Sequence, residues 1–521
     1  MADKSQQLMN NRIDKAKGHY INILDNIIYV IYFAIMLCIF CILIAPNSVD
    51  HIFRQNFYFS NFVLFLIGTI IACIALLIIV KTDDVKININ KLTFAVFICL
   101  AYLSFNIAFE FDWDNFIVIS NAQRIVRGDI DNLTGYYFST YPNNFFILMI
   151  FTLILKIHNA IGIFTMNGNY MPVILFQCLL MSLAARTLYM IIYDMCKKRI
   201  VALIGLIVYI FSVTFSGWSV VTYSDQVGLL FPLLILRTLQ LIDNKKHIFL
   251  KLLAIVLMSY ISYLIKPTFV IPLIAIALYF LVHNIRDIKL QTLKYFARLA
   301  LCLVIVIASY GFAKSKFIES SGLEIVYGVA ISPWHFVMMG LNEETQGISS
   351  GPDFRFTLNT LKDGTNGPAQ KGIALNRFHD YIKSGTLLKH YHKKALNNFD
   401  DGSFYWYQIS TFLKGHFDDL NYHVAPFLKS IYLGKYSDLK KTFQQMIWIT
   451  VLFVSLFAVF IKKNKEQTVM VLSLIGYVMF MMIFEAGPRP LMVYISYFII
   501  LAMTVLNRID DLIKKKHTAV Q

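Results

Sequence analysis

The segment Glu110-Phe-Asp-Trp-Asp114 stands directly after an apolar run, 92–109, and sets two carboxylates, Asp112 and Asp114, at the edge of what reads as a membrane span. Carboxylates are costly at such a boundary unless something uses them. Three further features bring charge to comparable places. Asp225 lies in Ser216-Gly-Trp-Ser-Val-Val-Thr-Tyr223-Ser-Asp225-Gln, Lys266 in Leu264-Ile-Lys266-Pro-Thr268, and Glu485 and Arg489 in Phe484-Glu485-Ala-Gly-Pro-Arg489-Pro. Carboxylates and cations on one membrane surface suit a lipid-linked phosphate donor: a cation holds the phosphate as leaving group while a carboxylate takes the proton of an attacking hydroxyl. Each feature also has a plain structural reading. Asp114 and Asp225 fit helix caps and Asp112 a solvated loop residue, Lys266 fits a side chain snorkelling toward headgroups, and Glu485 with Arg489 fits an ion pair.

The elements that must position these residues are membrane spans. The 521-residue chain is 57% apolar and only 15% charged, with 44 Phe and 29 Tyr, and its mean hydropathy is +0.61. About 18 to 20 apolar residues cross a hydrocarbon core as a helix. Such windows fall at 27–45, 58–80, 92–109, 170–193, 199–216, 226–242, 247–265, 268–284, 295–313, 444–461, 467–484 and 488–506. The expected fold is therefore an all-α polytopic bundle of about twelve spans with both termini on one side. Lys and Arg are retained on the cytoplasmic face. Placing the N-terminus inside puts Cys196-Lys-Lys-Arg199, Lys462-Lys-Asn-Lys465 and Lys514-Lys-Lys516 there, and all four charged features outside. The net charge of +16 is then mostly an inner-leaflet bias toward anionic lipid, not a nucleic-acid surface.

The organisation expected is a cytoplasmic segment 1–26, a bundle 27–313, an extracytoplasmic segment 314–442, C-terminal membrane helices 443–507 and a cytoplasmic tail 508–521. The polar start, with Lys4, Arg12, Lys15 and Lys17, has no small-residue cleavage pattern after it and reads as an anchor. Within the bundle, 110–142 is an outer loop. The apolar stretch 143–165 would reverse the charge pattern if it crossed once, so it reads as a re-entrant hairpin or surface helices packed on the bundle. Asp114 would head an amphipathic helix with apolar positions 116, 117, 119, 122, 125 and 126. In the larger segment, 369–382 and 387–398 read as amphipathic helices after turn-rich stretches. Seven cysteines, Cys38, Cys41, Cys73, Cys99, Cys178, Cys196 and Cys302, fall in spans or near the inner face and imply neither a disulfide framework nor a metal site.

The first-loop acid after a span, the amphipathic helix behind it, Gly128-Asp129 and then Tyr141-Pro-Asn-Asn144 resemble the GT-C superfamily of integral-membrane glycosyltransferases. The nearest likeness is to bacterial relatives of protein O-mannosyltransferases and the aminoarabinose transferase. Asp225, Lys266, His335 in Pro333-Trp-His-Phe-Val-Met-Met-Gly340, and Glu485 with Arg489 look like recurring positions of Gram-positive wall-polysaccharide or teichoic-acid members. The likeness covers 92–507 loosely. It implies inverting transfer of a sugar from a polyprenyl-phosphate donor to a cell-envelope glycan or glycolipid hydroxyl, on the extracytoplasmic face of the cell membrane. It further implies a general base at Asp114, with Asp112 as the alternative, and Asp225 orienting base or acceptor. Lys266 and Arg489 would neutralise the phosphate, and Tyr141, Asn144, Tyr223, His335 and Glu485 would touch donor or acceptor. His335 beside Trp334 fits a packed loop residue equally well. The Asp-Trp-Asp spacing could hold a divalent cation with the donor phosphate, but lipid-monophosphate relatives generally use cationic side chains instead, so no cofactor or metal is expected.

Two other classes compete. A transporter or flippase of lipid-linked saccharide would want ionisable groups near the bilayer midplane, and the spans carry almost none apart from Arg186. A non-enzymatic scaffold for wall assembly would use 314–442 as a docking surface and leave the acids dispensable.

Overall fold

An apolar run that outlasts the hydrocarbon thickness leaves its backbone no partner but itself, so it folds as a helix. The computed structural model describes residues 2–45, 50–82, 85–108, 114–161, 170–242, 244, 246–284, 290–406 and 426–520, and among them the regular elements are all helices. Ten are long and apolar enough to cross a membrane: Asn22–Ile44, Asn61–Lys81, Ile89–Ile107, Pro142–Ala160, Met171–Cys196, Ile248–Ile265, Leu293–Ser321, Ser437–Phe460, Lys465–Ile483 and Leu491–Lys516.

In chain order the bundle begins with α1 (Ala2–Ile44), α2 (Asn61–Lys81) and α3 (Ile89–Ile107). Polar caps set the two later starts: the Ser60 side chain accepts from Val63 N, and Asn88 from Asn90 N and Lys91 N. The short α4 (Asp114–Arg127), α5 (Gly135–Thr140) and α6 (Phe145–Ala160) follow, then α7 (Met171–Cys196) and α8 (Arg199–Tyr209). The stretch read as a hairpin or surface segment forms one helix from Phe145 to Ala160, packed mainly along α4 and less on α7 and α11. Residues 162–165 lie outside the described residues.

Three expected spans, 199–216, 226–242 and 268–284, are not among the ten. After α8 the chain passes through a π turn, Ile210–Thr214, and a 3-10 turn, Trp218–Val220, to the short α9 (Ser224–Gly228) and α10 (Leu230–Leu241). The next helix, α11 (Ile248–Ile265), stops before Lys266-Pro267, and a 3-10 turn, Pro267–Val270, leads into α12 (Ile271–Asn284). Proline has no N–H to give the preceding turn, which explains that stop. Gly228 lets α9 lie against the second break, since a Cβ there would stand 1.8 Å from Phe269 Cε2. Arg199–Thr214 and Pro267–His283 are apolar but too short to count among the ten. Irregular backbone at membrane depth is tolerated only where protein buries it, and Trp218, Val220, Ser224, Asp225 and Gln226 are all buried.

The long α13 (Leu290–Ser321) lies at the edge, with 6% of its apolar window buried, whereas α21 (Leu491–Val520) has 83% buried and runs through the centre against α19 (Ser437–Leu456), α8 and α7. Between them come α14 (Pro333–Gly340), α15 (Gly351–Lys362), α16 (Pro368–Ser384), α17 (Leu387–Phe399) and α18 (Pro426–Tyr432), which form a layer against one end of the bundle, and α20 (Lys465–Ile483) follows α19. The two amphipathic stretches expected at 369–382 and 387–398 coincide with α16 and α17. The layer has its own core of Met338, Leu341, Ala374 and Tyr381, and an Arg377–Asp353 ion pair in which Nη1 and Nη2 each meet a carboxylate oxygen at 2.8 Å. At the far end of the bundle, the Lys198 ammonium joins buried Asp510 and, at 2.8 Å, Asp511, both on α21.

Candidate functional site

Asp225 enters the bundle on α9 because the break after α8 frees the chain to turn. One amide on α7 orders that break: Gln177 Nε2 donates to Ser219 O and Val221 O, both at 3.0 Å, and its Oε1 accepts from Tyr223 N at 3.2 Å. The extended Tyr223 then delivers Asp225, which is fully buried.

Two cations meet this carboxylate from different helices. Lys266, extended at the end of α11, sets Nζ 2.5 Å from Asp225 Oδ1. Arg489, on the turn between α20 and α21, sets Nε 3.1 Å from Oδ2, and its guanidinium carbon lies 5.3 Å from the centre of the Tyr223 ring. Burial opposes ionisation of Asp225, but Lys266 and Arg489 together outweigh it and hold the carboxyl below its ordinary range. Burial likewise depresses Lys266, with Asp225 restoring charge and Arg489 repelling it.

Tyr223 links this triad to the first-loop acid. Its hydroxyl lies 3.3 Å from Asp114 Oδ2 and 3.4 Å from Asn144 Oδ1, so its single proton is shared between two acceptors. Asn144 Nδ2 donates to Tyr137 OH at 2.6 Å, and the Tyr137 ring packs 5.2 Å from that of Tyr141. Asp114 opens α4 and is exposed, whereas Asp225 is sealed. The two acids thus differ in kind. Asp225 is occupied by cations, and Asp114 has a carboxylate face open to an incoming hydroxyl.

Glu485 and Tyr141 complete the cluster. Glu485 is half-buried; burial raises its pKa, the Asp114 carboxylate adds to that, and Arg489, Lys394 and Lys266 pull the other way. The Tyr141 hydroxyl is pushed up by burial and then by the fields of Asp114 and Glu485.

The structure thus brings together Asp114, Asp225, Lys266, Arg489, Tyr223, Asn144, Tyr141 and Glu485. His335 is not among them. It sits in the layer on α14, with Nδ1 2.7 Å from Thr357 Oγ1, and burial lowers its pKa to about 4 while Asp353 opposes this. A buried neutral imidazole satisfied by a threonine is a packing residue of that layer. Asp112 lies outside the described residues, as does the Asp-Trp-Asp geometry with it. Among the described residues no three His, Cys, Asp or Glu side chains converge as a metal-holding group.

Sequence reasoning missed Tyr137, Gln177 and Lys394. Tyr137 precedes Tyr141 by four residues, one helical turn, and that spacing was available. Gln177 was a neutral polar residue inside an apolar window and could have been flagged. Lys394 had no such signal: it is buried on α17, its Nζ donates to Gly340 O at 2.7 Å, and burial lowers its pKa to about 7.

The family described as "conserved hypothetical integral membrane protein" (CHIM_prot) matches residues 19–509, and the chain belongs to that family of integral membrane proteins. No curated protein and no solved structure matches it.

Proposed function

We propose that this protein is an inverting glycosyltransferase of GT-C type that moves a sugar from a polyprenyl-phosphate donor to a hydroxyl of a cell-envelope acceptor. The observation that carries the reading is the pairing of Lys266 and Arg489, held on the sealed Asp225, with the exposed Asp114, bridged by Tyr223. Two cations around one carboxylate leave a net positive charge, which suits a phosphate that gains charge as it departs. The proposed site lies on the extracytoplasmic face with both termini inside, a placement tested by labelling cysteines introduced at the termini and at the site.

In this reaction Asp114 takes the acceptor hydroxyl proton as the oxygen attacks the anomeric carbon from the face opposite the phosphate. The anomeric C–O bond to phosphate breaks, its electron pair stays on the phosphate oxygen, and Lys266 and Arg489 neutralise the resulting polyprenyl phosphate. Attack from the opposite face inverts the anomeric centre. Tyr223 aims the base, and Asp225 fixes the spacing of the two cations.

The test uses purified protein in lipid, radiolabelled polyprenyl-phosphate sugars and a cell-wall acceptor fraction. The wild type transfers label with inversion, and Asp114→Asn lowers kcat by about 10²- to 10⁴-fold with an unchanged melting temperature, because the residue is exposed. Label that crosses the bilayer without being transferred would replace this reading with a flippase, and equal turnover by both proteins would remove Asp114 as the base.

A further inference from the structure

Arg489 sits on a turn, Phe484–Pro490, that has only two prolines and a glycine to shape it, yet its guanidinium must meet Asp225 to within a hydrogen-bond length. What holds the turn comes from the layer. Asn398, fully buried on α17, donates from Nδ2 to Met481 O at 3.0 Å and accepts at Oδ1 from Gly487 N at 2.8 Å. One side-chain amide thus clasps the last turn of α20 to the middle of the Arg489 turn. Ala486 N donates to Gly347 O at 2.7 Å, and Ala486 packs with Phe53, Ile348 and Tyr405.

The segment supplying that last contact is strained. Phe404 and Tyr405 both have left-handed backbone, with φ of 60° and 76°, a conformation that costs a residue with a side chain and persists only where the surroundings impose it. The buried Asp401 imposes it here, accepting from Ser403 N and Tyr405 N at 2.8 Å each and from Ser403 Oγ at 2.6 Å. Gly340 adds a close approach, since a Cβ there would lie 2.5 Å from Ile483 O.

We infer that Asn398 is a positioning residue of the site, acting through Arg489, and that the 333–406 layer serves to set the phosphate-binding cation. This rests on the proposed phosphate role of Arg489. A misplacement on the order of 1 Å can cost up to about 10² in rate, so Asn398→Ala should lower kcat/KM about tenfold or more.

A double-mutant cycle separates positioning from general support. In an Arg489→Lys background the cation is a flexible ammonium that depends little on the placement of the turn. There, Asn398→Ala should cost less than about threefold further, while its effect on the melting temperature stays the same in both backgrounds. Equal fold-losses in both backgrounds, or no loss in the wild type, overturn the inference. If Asn398→Ala does not fold, Asn398→Ser serves, since its shorter hydroxyl stays polar but cannot bridge Met481 O and Gly487 N together. Should the wild type transfer no sugar, the proposed reaction falls, and the same four proteins are read by the thermal stabilisation that a polyprenyl phosphate confers. A smaller shift for Asn398→Ala in the wild-type background alone upholds the positioning role; no stabilisation of the wild type removes it as well.

Discussion

Replacing Asp225 with Asn keeps the size of the side chain and removes the one negative charge between Lys266, 2.5 Å away, and Arg489, 3.1 Å away. Asp225 is fully buried, so water cannot take over its role, and the two cations face each other with only the fields of Glu485 and Asp114 to offset them. Breaking a buried ion pair in this way costs about 3–5 kcal/mol. Unfolding entropy of roughly 2.1 cal/mol/K per residue over 521 residues is about 1.1 kcal/mol/K, so the apparent Tm should fall by about 3–5 °C. The assay is a thermal scan in detergent at fixed scan rate. Its pH dependence carries a sign. The folded pKa of Asp225 lies below its unfolded value, so its contribution is complete above the unfolded value and disappears as pH falls through the folded one. The gap between wild type and Asp225→Asn should therefore be full at neutral pH and close below about pH 4. Adding Lys266→Met to Asp225→Asn should recover part of the loss by removing one stranded charge. A neutral-pH difference under about 1 °C, or a gap that widens in acid, would refute the triad as a buried ionic unit.

Two further outcomes follow from the same geometry. Lys266→Ala should raise the donor KM and lower kcat by about 10²-fold, as loss of one preorganised charge does, while the acceptor KM stays near wild type; steady-state kinetics with each substrate varied in turn distinguishes the two. Gly228→Ala drives a methyl into the Phe269 ring and should destabilise by about 1–3 kcal/mol, read as a lower Tm that Phe269→Leu in the same chain partly restores.

The long spans were legible because length and apolarity alone decide them. Nine of the expected windows correspond to helices that can cross, and α16 and α17 were visible in their periodicity. The short ones were not. Windows 199–216, 226–242 and 268–284 are apolar too, but the helices that fill them, Arg199–Thr214, Leu230–Leu241 and Pro267–His283, are shorter than a crossing needs. Asp225 and Lys266 lie in the gaps between windows, where the sequence already sets a turn. The charged members of the cluster could be picked out because charge is conspicuous beside lipid. Asn398 was hidden, because its work is done by an amide bonded to a backbone carbonyl and an N–H group far away in sequence. His335 shows the converse: a conspicuous residue type whose neighbours, Thr357 and Phe354, both lie on α15 of the layer.

The placement of α21 joins two distant events. Arg489 precedes the first residue of this helix by two positions, and Asp510, gripped by Lys198, lies nineteen residues into it, about 28 Å along the axis at 1.5 Å per residue. The helix is packed on nearly all sides, so it transmits displacement the way a pushrod does, with little slack to absorb it. A shift of the Asp510 end of the helix would therefore be felt at the turn that carries Arg489.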